Sequence, residues 1–231
     1  MFEKYSQPIV GSGFLASKFK KYKKIIKRNN VIIYAAGISN SLETNKVNLK
    51  REINKIRNFL KKNKKKLIYI STYSINDNSR KNKPYVKNKI KIENLIKKQS
   101  REYLIIRLPE IIGKNKNSNT LTNFFFKNIS DKKTFILYKN VKRNILDVDD
   151  ALKNCMKIIH INKKKNKIVN LLNKNFYTPL KIVSIFEKFL HIKANFKIKS
   201  INQNFVYLKS NCYINSDKKY LPRIIKKYYF K

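Results

Sequence analysis

Residues 8–16 read Pro-Ile-Val-Gly-Ser-Gly-Phe-Leu-Ala, a short apolar run that breaks into two glycines and continues into a helical stretch. The 231-residue chain holds only four glycines, so two of them in three positions is far from background. A strand that turns at once into a helix needs a residue without Cβ where the backbone bends, and Gly11 fills that place. Gly13 lets backbone N–H groups approach a pyrophosphate at the helix N-terminus, and the small Ala16 allows close packing of helix on sheet. Gly37 and Gly113 also close apolar runs, Val31 to Ala36 and Leu104 to Ile112. A glycine turn can be an ordinary corner. Its place between a strand and a helix at the head of the chain favours a cofactor site.

Short β-rich runs alternate with helical stretches along the chain, the pattern of a parallel sheet with helical crossovers. Strands are expected at Ile9-Val10, Val31 to Tyr34, Leu67 to Ile70, Tyr103 to Arg107, Phe135 to Leu137, Lys167 to Leu171 and Asn195 to Lys199. Helices are expected at about 14–28, 43–61, 84–99, 119–129, 148–161 and 179–190. Pro84, Thr178-Pro179 and Asp147 each carry a helix-start signal. With no repeat or low-complexity linker, the chain reads as a single α/β domain over residues 1–231. Residues 1 to about 113 form the expected cofactor-binding core; about 114–231 complete the sheet and add a small substrate-binding lobe.

The formal net charge of +42 raises the question of nucleic acid. The lysines are dispersed among many Asn, Ile, Tyr and Phe, residues that share A/T-rich codons, so base composition alone accounts for the excess. A dedicated nucleic-acid protein concentrates its charge and favours arginine. No specific nucleic-acid partner is expected. The runs Lys61 to Lys66 and Lys163 to Lys167 fall at expected helix ends, where cations complement the dipole and stay solvated. No apolar run approaches the ~20 residues of a membrane span, and no secretory signal is evident. Cys155 and Cys212 follow no ligand or disulfide spacing and read as packing residues in a reducing cytoplasm. His160 and His191 read as helix-end residues, and Asp147, Asp149 and Asp150 as helix-start carboxylates.

Two further groups carry chemistry. Tyr85 and Lys89 stand one helical turn apart, on one face of the helix opened by Pro84. An ammonium there can draw a phenol's pKa down from about 10, readying it to exchange a proton with a carbinol or carbonyl. Lysine is so common in this chain that the spacing also arises by chance. Ser71 and Thr72 end the apolar run from Leu67, at a strand end where a hydroxyl can bind the same substrate oxygen.

The order of these segments resembles the extended short-chain dehydrogenase/reductase family. Gly-x-Gly-x-x-Ala is followed by Tyr-Ala-Ala-Gly, Ile-Ser-Thr, Tyr-x-x-x-Lys and Ile-Ile-Arg-Leu-Pro-x-x-x-Gly. Within it the chain is most similar to the NAD-dependent epimerase/dehydratase branch. Arg143-Asn144-Ile145-Leu146-Asp147-Val148-Asp149-Asp150 resembles that branch's Arg-Asp-x-x-x-Val-x-Asp segment. The resemblance implies a Rossmann-like parallel sheet flanked by helices and an NAD- or NADP-dependent step on a nucleotide-linked sugar, in surface-polysaccharide precursor synthesis. It implies Tyr85 as acid/base, Lys89 as its tuner and a ribose contact, Thr72 on the reacting oxygen and Ser71 beside it. Gly11, Ser12, Gly13, Phe14 and Leu15 would surround the pyrophosphate, and Ala35, Ala36 and Gly37 the adenosine side. Pro109 would lie near the nicotinamide, and Arg143 would hold the substrate diphosphate.

Three departures accompany the resemblance. The first helix leads directly into Val31, so the family's second and third strands, with the acidic residue that reads the adenosine ribose, are missing. A right-handed crossover would then force the next strand to the other side or the helix to the other face. Tyr73 and Ser74 stand where sugar dehydratases carry Asp-Glu, which favours a reductase or epimerase. The C-terminal lobe is short. A homodimer through the helix bearing Tyr85 is a family-level expectation; a non-catalytic scaffold of the same fold is the main alternative reading.

Overall fold

The computed structural model describes residues 7–78, 80–115, 117–162, 166–200 and 212–230. Its centre is a six-stranded, wholly parallel sheet: β1 (Ile9–Val10), β2 (Val31–Tyr34), β3 (Lys66–Thr72), β4 (Tyr103–Leu108), β8 (Lys167–Asn173) and β11 (Cys212–Ile214), side by side in that order. The strands read as near-continuous apolar runs because both faces are covered. Ile68, Ile70, Leu104 and Ile106 point to one face, where they meet α1 (Phe14–Phe19), α2 (Lys23–Arg28) and α6 (Val148–Ile161). Leu67, Tyr69 and Ile105 point to the other, against α3 (Lys46–Lys62) and α4 (Pro84–Gln99). The short β5 (Glu110–Ile112), α5 (Leu121–Ser130), β6 (Phe135–Lys139) and β7 (Arg143–Asp147) follow β4. With β9 (Phe176–Tyr177), α7 (Pro179–Leu190), β10 (Phe196–Ser200) and α8 (Tyr220–Tyr229) they build a second apolar cluster centred on Phe125, Phe135, Phe186 and Ile225.

The missing-strand reading holds. β1 is the edge of the sheet and pairs directly with β2, Ile9 opposite Ile33 and Val10 opposite Tyr34. The connections β1–β2 and β2–β3 step across the sheet in the same direction, yet α1–α2 and α3 cover opposite faces. Their hands therefore differ, and the right-handed rule cannot hold for both.

Helix starts follow their signals. Asn45 caps α3 by accepting from the Val47 and Asn48 amides, Asp147 caps α6, Thr178 caps α7, and Pro84 opens α4. Four sequence expectations need correction. The helix expected over 14–28 is two helices joined by a 3-10 turn. Lys66 does not sit at a solvated helix end: it opens β3, buried, with its ammonium on the Asn162 carbonyl at 2.6 Å. Of the run from Lys163 to Lys167, residues 163–165 lie outside the described residues, and Lys167 begins β8. Four short strands, β5, β7, β9 and β11, and α8 were not anticipated. Exposed lysines stand on helices all round the molecule, among them Lys23, Lys50, Lys87, Lys127, Lys153, Lys181 and Lys226. Among the described residues, no helix is long and apolar enough to cross a membrane.

Helix α8 returns to the N-terminal end of α6 and fixes it. The buried Asp147 carboxylate accepts from Lys227 and Tyr228, each at 3.0 Å, and Tyr220 bridges the Asp147 amide and Asp150. Asp149 joins this cluster to the first helical unit, accepting from Lys21 at 2.9 Å and Lys227 at 3.0 Å. These two ammonium groups hold its carboxyl at about 2, below the ordinary 3.8. A depressed folded-state pKa stabilises above the unfolded value and loses that contribution as pH falls through the folded one. The pair is half exposed, so screening leaves only about 0.2–1 kcal/mol. The urea midpoint of Asp149→Asn is expected to lie below that of the native protein at neutral pH, and the gap to close between pH 3.8 and about 2.

Candidate active site

The C-terminal ends of β1–β4 open into a cleft of about 1060 Å³, where open parallel sheets receive ligands. Every site residue nominated from the sequence lines it. Gly11, Ser12, Gly13, Phe14 and Leu15 form one wall, and Ala35, Ala36 and Gly37 the next. Ser71, Thr72, Tyr85 and Lys89 face them, and Pro109 and Arg143 lie further along.

The glycine turn is built by close approach. Gly11 has φ +126°, and a Cβ there would stand 2.6 Å from the Ala35 carbonyl oxygen. The Ala35 amide donates to the Val10 carbonyl at 2.8 Å, so the turn and the end of β2 are clamped together. A Cβ on Gly13 would meet nothing within 4 Å. That space opens at the start of α1, whose first turn takes no side-chain cap, so its N–H groups are available to an anion. Phe14 is oriented by packing: its ring lies against Gly113, where a Cβ would come within 2.5 Å of it.

Opposite the turn, Thr72 stands near enough to the Tyr85 phenol to favour its ionised form, and Lys89 lies 5.3 Å from the centre of the Tyr85 ring. Tyr85 and Lys89 are 7% and 3% exposed, so both act in a dry environment. Lys89 is paired: its ammonium donates to Glu52 at 2.5 Å. The same carboxylate, itself buried, accepts from Asn88 at 2.8 Å and from the Ile38 amide at 3.0 Å. Gly37 makes room for the pair, since a Cβ there would lie 2.6 Å from the Lys89 ammonium and 2.8 Å from Glu52. Burial disfavours the Lys89 ammonium, but the negative charge that Tyr69 and Tyr85 carry once ionised and the Glu52 carboxylate outweigh it, and its pKa rises.

The depressed phenol expected for Tyr85 is not found. Burial pushes its pKa above the ordinary 10; Lys89 opposes the rise and Glu52 reinforces it. Ser71 is also redirected. Neighbouring strand residues point to opposite faces, and its hydroxyl donates to the buried Glu93 at 2.6 Å, which also takes Arg107 in a two-bond pair. Ser71 thus braces α4 against β3 and β4 instead of joining Thr72 and Tyr85.

At the far end, Arg143 reaches Asp77 at 3.2 Å, and Arg80 lies between Asp77 and Glu110 at 3.7 and 3.5 Å. Burial and the neighbouring Arg80 lower the Arg143 pKa to about 10. Its Nε is buried without a hydrogen-bond partner. A guanidinium with a free, dry donor is poised for an anionic group.

Glu52, Asn88 and Arg80 were not nominated from the sequence. Glu52 did leave a signal. Leu49, Ile56 and Phe59 mark the buried stripe of α3, and Glu52 falls on it at helical spacing, one of only 13 acidic residues in the chain. A carboxylate on an apolar stripe needs a buried partner.

A family-wide sequence pattern matches residues 17–171 of the 231. The chain belongs to the NAD dependent epimerase/dehydratase family. The match begins just past the glycine turn, and the turn is placed by the geometry above. Solved structures share the fold of this family member. dTDP-4-dehydrorhamnose reductase from Bacillus anthracis, in complex with NADP, superposes with a TM-score of 0.67 over 96% of this chain and 97% of its own, at 12% identity. UDP-glucuronic acid 4-epimerase from Bacillus cereus, in complex with NAD, gives 0.59 over 77% of this chain at 18% identity. The aligned region is 64% of that epimerase's length. dTDP-glucose 4,6-dehydratase from Bacillus anthracis, in complex with NAD, gives 0.55 over 90% and 69%, at 16% identity. Among curated proteins no match to the sequence was found.

The two turn glycines should respond differently to a methyl group. Gly11→Ala forces a side chain into positive φ and against backbone, and is expected to destabilise by roughly 1–3 kcal/mol. Gly13→Ala meets open space and should cost about 1 kcal/mol or less. Urea denaturation of the two variants measures both.

Proposed function

We propose that the protein is an NAD(P)-dependent oxidoreductase or epimerase acting on a nucleotide-linked sugar. The observation that supports this most is the convergence of the glycine turn and the Thr72–Tyr85–Lys89 group on one cleft. Family membership and the shared fold agree with it.

The residues present fit a dinucleotide. The open space at Gly13 and the uncapped start of α1 suit a pyrophosphate, and Ala35, Ala36 and Gly37, which line the same cleft, would face an adenosine. When bound, the nicotinamide supplies or accepts a hydride. Tyr85 would then hold the proton exchanged with the substrate oxygen, and Thr72, beside it in the cleft, would share that oxygen. Lys89, fixed by Glu52, keeps the phenol in place from below, and Pro109 shapes the wall beside it. Arg143 and Arg80 would receive the diphosphate of the substrate, the orphaned Nε of Arg143 being the free donor. Residues 1 to about 113 would form the cofactor-binding core and the remainder the completed sheet and substrate lobe, within one domain. No carboxylate follows Thr72 directly, since Tyr73 and Ser74 begin a 3-10 turn there. That favours reduction or epimerisation over water elimination. We place the reaction among the steps that prepare sugars for surface polysaccharides, in the cytoplasm.

Replacing Tyr85 by Phe is expected to lower turnover at least 100-fold while leaving the melting temperature and dinucleotide binding near native. Full activity in this variant would remove the mechanism. Gly13→Ala should retain the fold yet weaken NAD(H) or NADP(H) binding, read by calorimetry or by loss of ligand-induced thermal stabilisation. If no nicotinamide dinucleotide stabilises the native protein, a non-catalytic scaffold becomes the better reading.

A further inference from the structure

In its usual partnership, a lysine one turn beyond a tyrosine lends its positive field to the phenol. Here a third group intervenes. Glu52, from the neighbouring helix α3, closes on Lys89 at 2.5 Å and is itself held by Asn88 and the Ile38 amide. The groups that face Tyr85 are Lys89 on its own helix, Thr72 and Tyr69 from β3, Glu52 from α3 and Glu110 from β5. Beneath them Glu93 is closed by Arg107 and Ser71. The Tyr69 hydroxyl is buried with no hydrogen-bond partner, so it offers Tyr85 no outlet for a proton. Glu110 is already taken by Arg80 at 3.5 Å, so Glu52 is the carboxylate that answers Lys89 beside this dry phenol.

We infer that Glu52 is a positioning residue whose ion pair with Lys89 directs the ammonium's charge away from Tyr85, so that the site holds Tyr85 as a proton donor to a carbonyl-bearing sugar. This rests on the proposed role of Tyr85 and selects, between reduction and epimerisation, reduction of a ketone. The step balances: a hydride from the reduced nicotinamide adds to the carbonyl carbon, the Tyr85 proton adds to its oxygen, and the phenolate regains a proton from solvent. An epimerase must begin by removing a proton from a carbinol, which a protonated phenol does poorly near neutrality.

The test is a titration of the protein without cofactor or substrate. Tyrosine labelled with 13C at Cζ reports each phenol by NMR, and the line missing in Tyr85→Phe is Tyr85. In the native protein that line is expected to titrate above 10. In Glu52→Gln, where the Lys89 charge is uncompensated, it should move down by about one to three pH units. A Tyr85 line that titrates in Glu52→Gln where it does in the native protein overturns the inference. Glu52→Gln leaves a buried charge unpaired and can fail to fold. The double variant Glu52→Gln/Lys89→Gln then decides: titration near the native value supports the closed pair. An upward shift of a unit or more means that Lys89 acted on Tyr85 unopposed, and overturns it. Turnover of Tyr85→Phe judges the proposed function separately, so failure of one is not mistaken for failure of the other.

Discussion

A carboxylate and an ammonium buried side by side hold the functional half of this molecule in register. Glu52 belongs to α3, Lys89 and Asn88 to α4, and the Ile38 amide to the segment between β2 and α3. Three pieces of backbone are thus tied by one side chain, in a place where water does not compete. Isolated burial of either charge would cost several kcal/mol, so neither tolerates the loss of the other. The local geometry follows from that requirement. Gly37 carries no side chain because the pair occupies the space one would need. Tyr85 lies over Lys89 because the lysine is already anchored.

A second buried pair does related work one turn further along α4. Glu93 takes two of the three guanidinium nitrogens of Arg107 on β4 and the hydroxyl of Ser71 on β3, so the helix is locked to two adjacent strands. Glu52 fixes a helix face whose other buried residues are apolar, and Glu93 a face it shares with Asn88 and Lys89 as well as Ile92 and Ile96. Packing alone lets a helix slide or rotate by small amounts; a short, dry hydrogen bond to a charged group does not. Placing Tyr85 against Thr72 needs that precision, and the acidic residues of an otherwise basic chain are used where it is needed.

The fold was legible because its signals are local. Buried parallel strands read as continuous apolar runs, and α4, α6 and α7 begin and end where their proline, capping and periodicity cues put them. The glycine turn, Tyr85, Lys89 and Thr72 were nominated from local sequence patterns and Arg143 from the family resemblance, and all line one cleft. What escaped was set by long-range contact. β5, β7 and β9 are short and, among the described residues, pair only with one another, and α8 is held by Asp147 from 80 positions away. The direction of the Tyr85 shift was misjudged for a similar reason. A tyrosine and a lysine four apart are visible in the sequence, while the tertiary packing that buries the phenol and outweighs the lysine is not, nor is Glu52, which answers the lysine from 37 residues earlier. Ser71 was misassigned because strand alternation turns it toward Glu93, a partner 22 residues on.

The opening strand is the least anchored member of the sheet. Two residues, one neighbouring strand and a connection whose hand differs from the next hold the glycine turn in place, with nothing among the described residues paired on its outer side. In a fuller sheet, strands on both flanks would keep such a loop rigid before any ligand arrived. In this chain a dinucleotide spanning the turn and the end of β2 would act as a clasp across the weakest seam, so that gripping the ligand and seating the N-terminal segment become a single equilibrium.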